Sequence, residues 1–163
     1  MDAINWVDQP TREGGRIVYT NNEYHIPGLR MFGKHHAQQA ISALMPHYHK
    51  DAYEMTYISR GGLHFNVKGH DYQISGGDLL VVEPNIVHDT GSQPMSLHSM
   101  YWFQLDVSHP DGFLNMKKCD AQRLIAQLGE IHHRVIHLDE ERAHEILSEI
   151  FRCISSMIPV RRD

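Results

Sequence analysis

Two histidines and a glutamate lie close together near the middle of this chain. His47 and His49 are separated by one residue, and Glu54 follows five positions after His49. On a β-strand, residues two apart project to the same face, so both imidazoles point the same way. Glu54 is at an odd offset, and it rejoins them only if the chain bends or bulges around residues 50–52. The polar residues at those positions favour such a break.

His88 is predicted to join this cluster from a later strand. Three imidazoles and one carboxylate suit a divalent ion such as Zn²⁺, Ni²⁺, Mn²⁺ or Fe²⁺. The softness of these ligands does not choose among the four metals. The predicted metal ligands are therefore His47, His49, Glu54 and His88.

The elements that must position these residues are predicted to be β-strands. Short runs rich in β-branched, aromatic and other apolar residues alternate with turn residues every eight to twelve positions from residue 41 onward. This spacing is typical of an antiparallel sandwich or barrel. The predicted strands are Tyr53–Ser59, Leu63–Val67, Tyr72–Ile74, Leu79–Val82 and Ser96–Leu105.

Past Asp106 the apolar spacing changes from two to about 3.6 residues, which indicates helices. The first apolar stripe lies within residues 121–131 and the second, stronger one within residues 146–158. Asp139, Glu140 and Glu141 are predicted to begin the second helix, where acidic side chains favour the helix dipole, and Pro159 to end it.

Composition limits the class of protein. The chain has 163 residues, enough for one domain with a core, and 41% of them are apolar. No apolar run is long enough to span a membrane. The two cysteines, Cys119 and Cys153, are predicted to be reduced thiols, so we expect a cytoplasmic protein. The net charge is −5 with the histidines neutral, so the chain by itself is not expected to grip DNA.

The residues of the cluster resemble the two sequence motifs of the cupin superfamily. The pattern H-x-H-x4-E-x6-G is present in full from His47 to Gly61, although Ile41 replaces the glycine expected upstream. Gly77, Asp78 and His88 stand at the spacing of the second motif. Three positions of that second motif depart from it and hold Glu83, Asn85 and Ser92. The resemblance covers about residues 41–105 and implies a mostly β, jelly-roll barrel followed here by two C-terminal α-helices.

A narrower resemblance is to the N-terminal effector domain of AraC-type transcription regulators. It is carried by residues 45–58, 77–82 and 101–103 together with the two terminal helices. In that family the barrel binds a small molecule, often a sugar, and the helices form a homodimer. DNA is bound by a separate C-terminal domain that is missing here. Because residues 160–163 fall about where a linker to it would begin, we expect this chain to be part of a longer protein.

The resemblance also suggests which residues contact a ligand in the barrel. Members of the family often use histidines and glutamate as hydrogen-bond partners of an effector, without a metal. The expected ligand-binding residues are therefore His47, His49, Glu54, Thr56, His88, Trp102 and Tyr101. An aromatic face in a barrel mouth suits a sugar ring. Since strand residues alternate, only one of Trp102 and Tyr101 can point inward.

The sequence favours one function and leaves a second open as an alternative. The first is an effector-binding and dimerisation domain that senses a small polar molecule, expected to be a carbohydrate. The second is a metal-dependent cupin enzyme of the oxygenase or isomerase type, with a site of three histidines and one glutamate. One structural domain is expected, with an N-terminal arm and first strands in 1–40, the barrel core in 41–110 and the helical pair in 111–163.

Overall fold

The computed structural model describes residues 3–131 and 134–158. Within them the chain is mostly β, as predicted, and curls into a barrel of the cupin type with two helices after it. The strands are β1 (Ile4–Asn5), β2 (Thr11–Glu13), β3 (Arg16–Thr20), β4 (Leu29–Ala37), β5 (His47–Tyr48), β6 (Ala52–Val67), β7 (His70–Ser75), β8 (Asp78–Val82), β9 (His88–Asp89), β10 (His98–Asp106) and β11 (Val135–His137). The helices are α1 (Asn21–Tyr24), α2 (Lys118–Gly129) and α3 (Glu140–Met157), and Phe113–Asn115 form a 3-10 turn.

Strand β6 holds the two sides of the barrel together. Its first half pairs with β10 and β8, and its second half pairs with β7 and β9. The sequence predicted a break at residues 60–62, and this prediction is wrong, because the strand runs through it. Gly61 has φ +80°, and a Cβ there would lie 2.4 Å from the Leu97 carbonyl oxygen. The glycine therefore lets the strand pass from one sheet to the other without ending.

The N-terminal residues are part of the same sheet. Strand β1 pairs in parallel with β5, the strand that begins at His47. Strands β2, β3 and β4 continue the sheet beyond β10. The first 37 residues therefore supply four strands, one of which borders the predicted metal ligands.

Alternating side chains of β6 face two separate apolar layers. Thr56 and Ile58 point into the barrel, where Ile58 joins the inner core with Trp102. Tyr53, Met55 and Tyr57 point outward and are buried in a second core beneath the helices. The terminal helices thus cover an outer face of β6 that is too apolar to be left in water.

Helix α3 packs one side of its apolar stripe on the barrel. Its N-cap is Asp139, whose side chain accepts a hydrogen bond from the Arg142 backbone amide, which agrees with the predicted helix start. Leu147 and Ile154 are buried in the outer core, whereas Ile146, Ile150 and Met157 are 47%, 38% and 52% exposed. The apolar stripe of α3 is thus wider than the part of the helix that packs on the barrel. The predicted helix end at Pro159 lies outside the described residues.

None of the helices in the described ranges has the length and apolar character required to cross a membrane. Cys119 and Cys153 are both exposed and form no disulfide.

We predict that truncating Ile154 destabilises the fold far more than truncating Ile150 on the same helix. Ile154 is 2% exposed, so Ile154→Ala leaves a cavity between α3 and the sheet and costs about 2–4 kcal/mol. Ile150→Ala removes a side chain that is already partly in water and replaces it with a better helix former, so it costs under about 1 kcal/mol. Urea unfolding of both variants measures the difference. Equal losses would contradict the assigned packing face.

Candidate metal centre

The two histidines of the first motif and His88 of the second are brought together by strand pairing. His47 on β5 lies directly opposite His88 on β9, and their ring centroids are 4.3 Å apart. His49 follows just after β5, and its ring centroid is 5.3 Å from each of the other two. All three imidazoles are buried, with at most 5% of their surface exposed.

The chain bends after His49, as predicted, and this bend brings Glu54 into the cluster. Asp51 takes a left-handed conformation with φ +59°, which separates β5 from β6. Glu54 Oε2 then lies 2.7 Å from His49 Nε2, and Glu54 Oε1 lies 3.2 Å from His88 Nε2. One donor atom from each of the four side chains lies within 4.8 Å of all the others.

The other ring nitrogen of each imidazole is bound to the backbone. The Nδ1 atoms of His47, His49 and His88 lie 2.7, 3.0 and 3.0 Å from carbonyl oxygens. These oxygens belong to Met45, Trp6 and Ile86 respectively. A carbonyl only accepts, so each Nδ1 must carry a proton and donate it. Each neutral ring therefore presents the lone pair of its Nε2, the atom that faces the cluster.

Lone pairs that face a carboxylate repel it unless a proton or a cation lies between them. Burial alone would lower the pKa of His49, but the Glu54 carboxylate outweighs burial and raises it. Burial would likewise raise the pKa of Glu54, but the His49 and His88 imidazoles hold it well below its ordinary value. The pKa of His47 is lowered by burial and by the neighbouring His88. The cluster therefore keeps the Glu54 carboxylate ionised, and this negative charge favours a cation at the centre of the cluster.

A divalent transition metal fits this donor set. Ligands about 2.0–2.2 Å from an ion lie at most about 4.4 Å from one another, so the four donors need to approach only slightly. Each imidazole already has the second hydrogen bond that metal-binding histidines make in proteins. The predicted ligands His47, His49, Glu54 and His88 can thus hold a metal. Zn²⁺, Ni²⁺, Mn²⁺ and Fe²⁺ all accept such ligands.

Sequence reasoning missed two polar residues beside the cluster. Gln104 is completely buried on β10, and its Nε2 donates to Asp8 Oδ2 at 2.9 Å and to Glu54 Oε2 at 3.1 Å. Its Oε1 has no hydrogen-bond partner among the described residues. Gln104 lies two positions after Trp102, so strand alternation could have placed it inside. No local pattern marks Asp8, because only the pairing of β1 with β5 brings residues 6–8 over the barrel.

A cavity of about 160 Å³ opens beside the cluster. His47, Glu54, Thr56 and Trp102 all line it, which agrees with where the sequence placed them. The remaining lining residues are Trp6, Asp8, Arg16, Ala43, Leu44, Met45, Phe65 and Met100.

Tyr101 does not join these residues, and its placement in the pocket is corrected. It belongs to the outer core, and its ring lies 6.0 Å from that of His144 on α3. The physical reason is the alternation along β10, which points Trp102 inward and its neighbour outward.

A second pair of buried imidazoles lies outside the cluster. His98 Nδ1 donates to the Ser96 carbonyl oxygen, so its Nε2 accepts from His35 Nδ1 at 3.2 Å. Burial, His98 and Arg16 lower the pKa of His35 to about 4. The pair is therefore neutral at physiological pH and packs as a hydrogen-bonded part of the interior.

Comparison with known proteins identifies this arrangement. Residues 36–101, which contain all four candidate ligands, match the family model described as the cupin domain. This stretch of the chain is a cupin domain. The broader resemblance seen in the sequence is thereby confirmed, and the narrower one, to AraC-type regulators, stays a prediction. No curated protein is similar enough to count as a match.

Several solved structures are similar to part of this chain at low identity. A predicted oxalate decarboxylase from Thermotoga maritima is 18% identical, with 55% of this chain and 79% of that chain covered and a TM-score of 0.46. A cupin protein from Bacteroides fragilis is 15% identical, with 64% and 86% covered and a TM-score of 0.46. The bacterial pirin YhhW from Escherichia coli, in complex with nickel(II), is 17% identical, with 61% and 48% covered and a TM-score of 0.45.

We predict that the cupin cluster binds Co²⁺ and that His88→Ala weakens this binding strongly. Losing a residue that only supports a ligand costs about 10- to 100-fold in metal affinity, so loss of a ligand should cost more. The control is His70→Ala, which changes an exposed histidine on β7. Visible absorption of the Co²⁺ complex and elemental analysis measure the effect. Equal Co²⁺ affinity in the two variants would refute the assigned ligand set.

Proposed function

We propose that this protein is a metal-dependent cupin enzyme that acts on a small polar molecule. His47, His49, Glu54 and His88 hold a divalent ion in this proposal. The observation that carries it is the fixed orientation of the three imidazoles, each of which donates its Nδ1 proton to a backbone carbonyl. A pocket that only hydrogen-bonds an effector does not need three imidazoles fixed in this way around one ionised carboxylate.

The ion would supply Lewis acidity or a redox centre to a substrate oxygen at its open positions. The protein must then supply the group that moves protons, and Asp8 is suited to that role. It lines the cavity, and its side chain is only 6% exposed. Burial and the nearby Glu54 charge raise its pKa, and an ion held by Glu54 would oppose that shift.

Gln104 positions both carboxylates of the site. Its two Nε2 protons are donated to Asp8 and Glu54, so the amide spaces two groups whose charges repel one another. Because Gln104 is completely buried between strands, its side chain has little freedom to release either one. Asp8 is thereby held at the cavity wall beside the proposed metal ligands.

The second candidate is the effector domain of an AraC-type regulator, in which the barrel senses a small molecule such as a sugar. The observation in its favour is α3, whose Ile146, Ile150 and Met157 remain exposed after the helix has packed on the barrel. Such a face suits a homodimer contact. In that case DNA would be bound by a separate domain.

The experiment is a turnover assay on protein loaded with Fe²⁺, Mn²⁺, Co²⁺, Ni²⁺ or Zn²⁺. Each form is incubated with short hydroxy acids, oxo acids and sugars, and products are followed by NMR. We expect metal-dependent turnover that His49→Ala abolishes and that the surface control His70→Ala leaves unchanged. Asp8→Asn should keep the metal and lose about 10²- to 10⁴-fold in rate, since it removes the proton-transfer group.

Two outcomes would refute the enzyme proposal. One is a wild-type protein that takes up no metal, and the other is equal product formation by the wild type and His49→Ala. A sugar that binds stoichiometrically, is not consumed and shifts the protein from monomer to dimer would support the regulator instead.

A further inference from the structure

One side chain that lines the cavity beside the proposed metal ligands is always positively charged. Among the described residues that line it, only Arg16 carries a charge that is positive at every physiological pH. Arg16 begins β3, and Val18 two positions later packs in the inner core, so both side chains point into the barrel. The Arg16 side chain is 28% exposed and therefore reaches both the cavity and water.

The guanidinium of Arg16 is held in place but not saturated. Its Nη2 donates to Asp8 Oδ1 at 3.1 Å, and its Cζ lies 4.4 Å from the centre of the Trp102 ring. A guanidinium has five N–H donors, and this is the only hydrogen bond that it makes to the described residues. The free donors form a planar fork of the kind that binds carboxylates through two parallel hydrogen bonds.

Trp102 forms part of the cavity wall, but its ring is not free to stack on a ligand. One side of its indole lies against Gly33, where an added Cβ would be 2.5 Å from the ring, and Arg16 lies over the ring. A sugar ring would have to displace the guanidinium to stack there. The contacts of Trp102 therefore favour a ligand that binds the guanidinium over one that needs the aromatic face.

We propose that Arg16 binds the carboxylate of a short, singly charged organic acid whose other oxygen reaches the metal centre. This inference deepens the proposed enzyme function and rests on it. With a divalent ion bound, Arg16 and the ion together exceed the negative charges of Asp8 and Glu54 by one. A monocarboxylate neutralises that excess, whereas a sugar leaves it unpaired in a largely buried site. The cavity, at about 160 Å³, is smaller than the roughly 300–1,000 Å³ of pockets for drug-sized ligands, so it limits the acid to a few carbons.

The test compares lactate with lactamide, which share a hydroxyl group and differ in charge. Binding to zinc-loaded protein is measured by calorimetry, which needs no turnover. We expect lactate to bind at least about 10-fold more tightly than lactamide, and Arg16→Gln to weaken lactate about 10- to 100-fold while leaving lactamide unchanged. Arg16→Lys should restore part of the loss, since it keeps the charge and lacks the fork.

The matched control is Arg12→Gln. Arg12 pairs with Glu23 and stacks on Tyr19, away from the cavity, so its loss should not change lactate binding. Equal affinity for lactate and lactamide, no binding of either, or lactate binding that survives Arg16→Gln would overturn the inference. Zinc content is measured on the same samples. A lactate preference that depends on Arg16 in a protein that takes up no zinc would refute the metal-enzyme proposal and leave the carboxylate site.

Discussion

The site depends on three hydrogen bonds from imidazole Nδ1 atoms to backbone carbonyls. Two of them are local, since His47 and His88 each donate to the residue two positions earlier. The third is long-range, because His49 donates to the Trp6 carbonyl on the N-terminal segment. Each bond fixes which nitrogen is protonated and where the ring points. Together they fix three buried imidazoles around one carboxylate.

This constraint explains the surrounding polar groups inside an otherwise apolar barrel. An ionised Glu54 in the interior is costly unless positive charge and hydrogen bonds compensate it. His49 and Gln104 supply part of that compensation, and a divalent ion would supply the rest. The pairing of β1 with β5 places Asp8 beside the same carboxylate and Arg16 beside Asp8. Two carboxylates joined through Gln104 thus lie between the imidazoles and the Arg16 guanidinium.

The fold and the central residues could be predicted because both depend on residue spacings of two to four positions along the chain. Spacing along β5 placed His47 and His49 on one face, and the polar run after them correctly indicated the bend that returns Glu54 to the cluster. Alternation along β6 separates the side chains that enter the barrel from those that the helices cover. The continuity of β6 through Gly61 was not predictable, because glycine signals a turn locally and only the neighbouring strand shows that it serves close packing.

The residues that reach the site through the pairing of distant strands could not be predicted from the sequence. Asp8 and the Trp6 carbonyl follow a parallel strand of only two residues, which is too short for alternation to mark it. No sequence pattern marked Arg16, since its contacts with Asp8 and Trp102 depend on the closed barrel. Tyr101 and Trp102 were distinguishable only once the register of β10 was known.

The most direct test of the central claim is the protonation of the imidazole rings themselves. Long-range ¹H–¹⁵N NMR spectra of histidine-labelled protein, assigned with single His→Gln variants, report which ring nitrogen carries the proton. At mildly alkaline pH we predict Nδ1 protonation for His47, His49 and His88, and a shift of only their Nε2 resonances when Zn²⁺ is added. Rings that are protonated at Nε2 in place of Nδ1, or no response of these three rings to Zn²⁺, would contradict the metal centre.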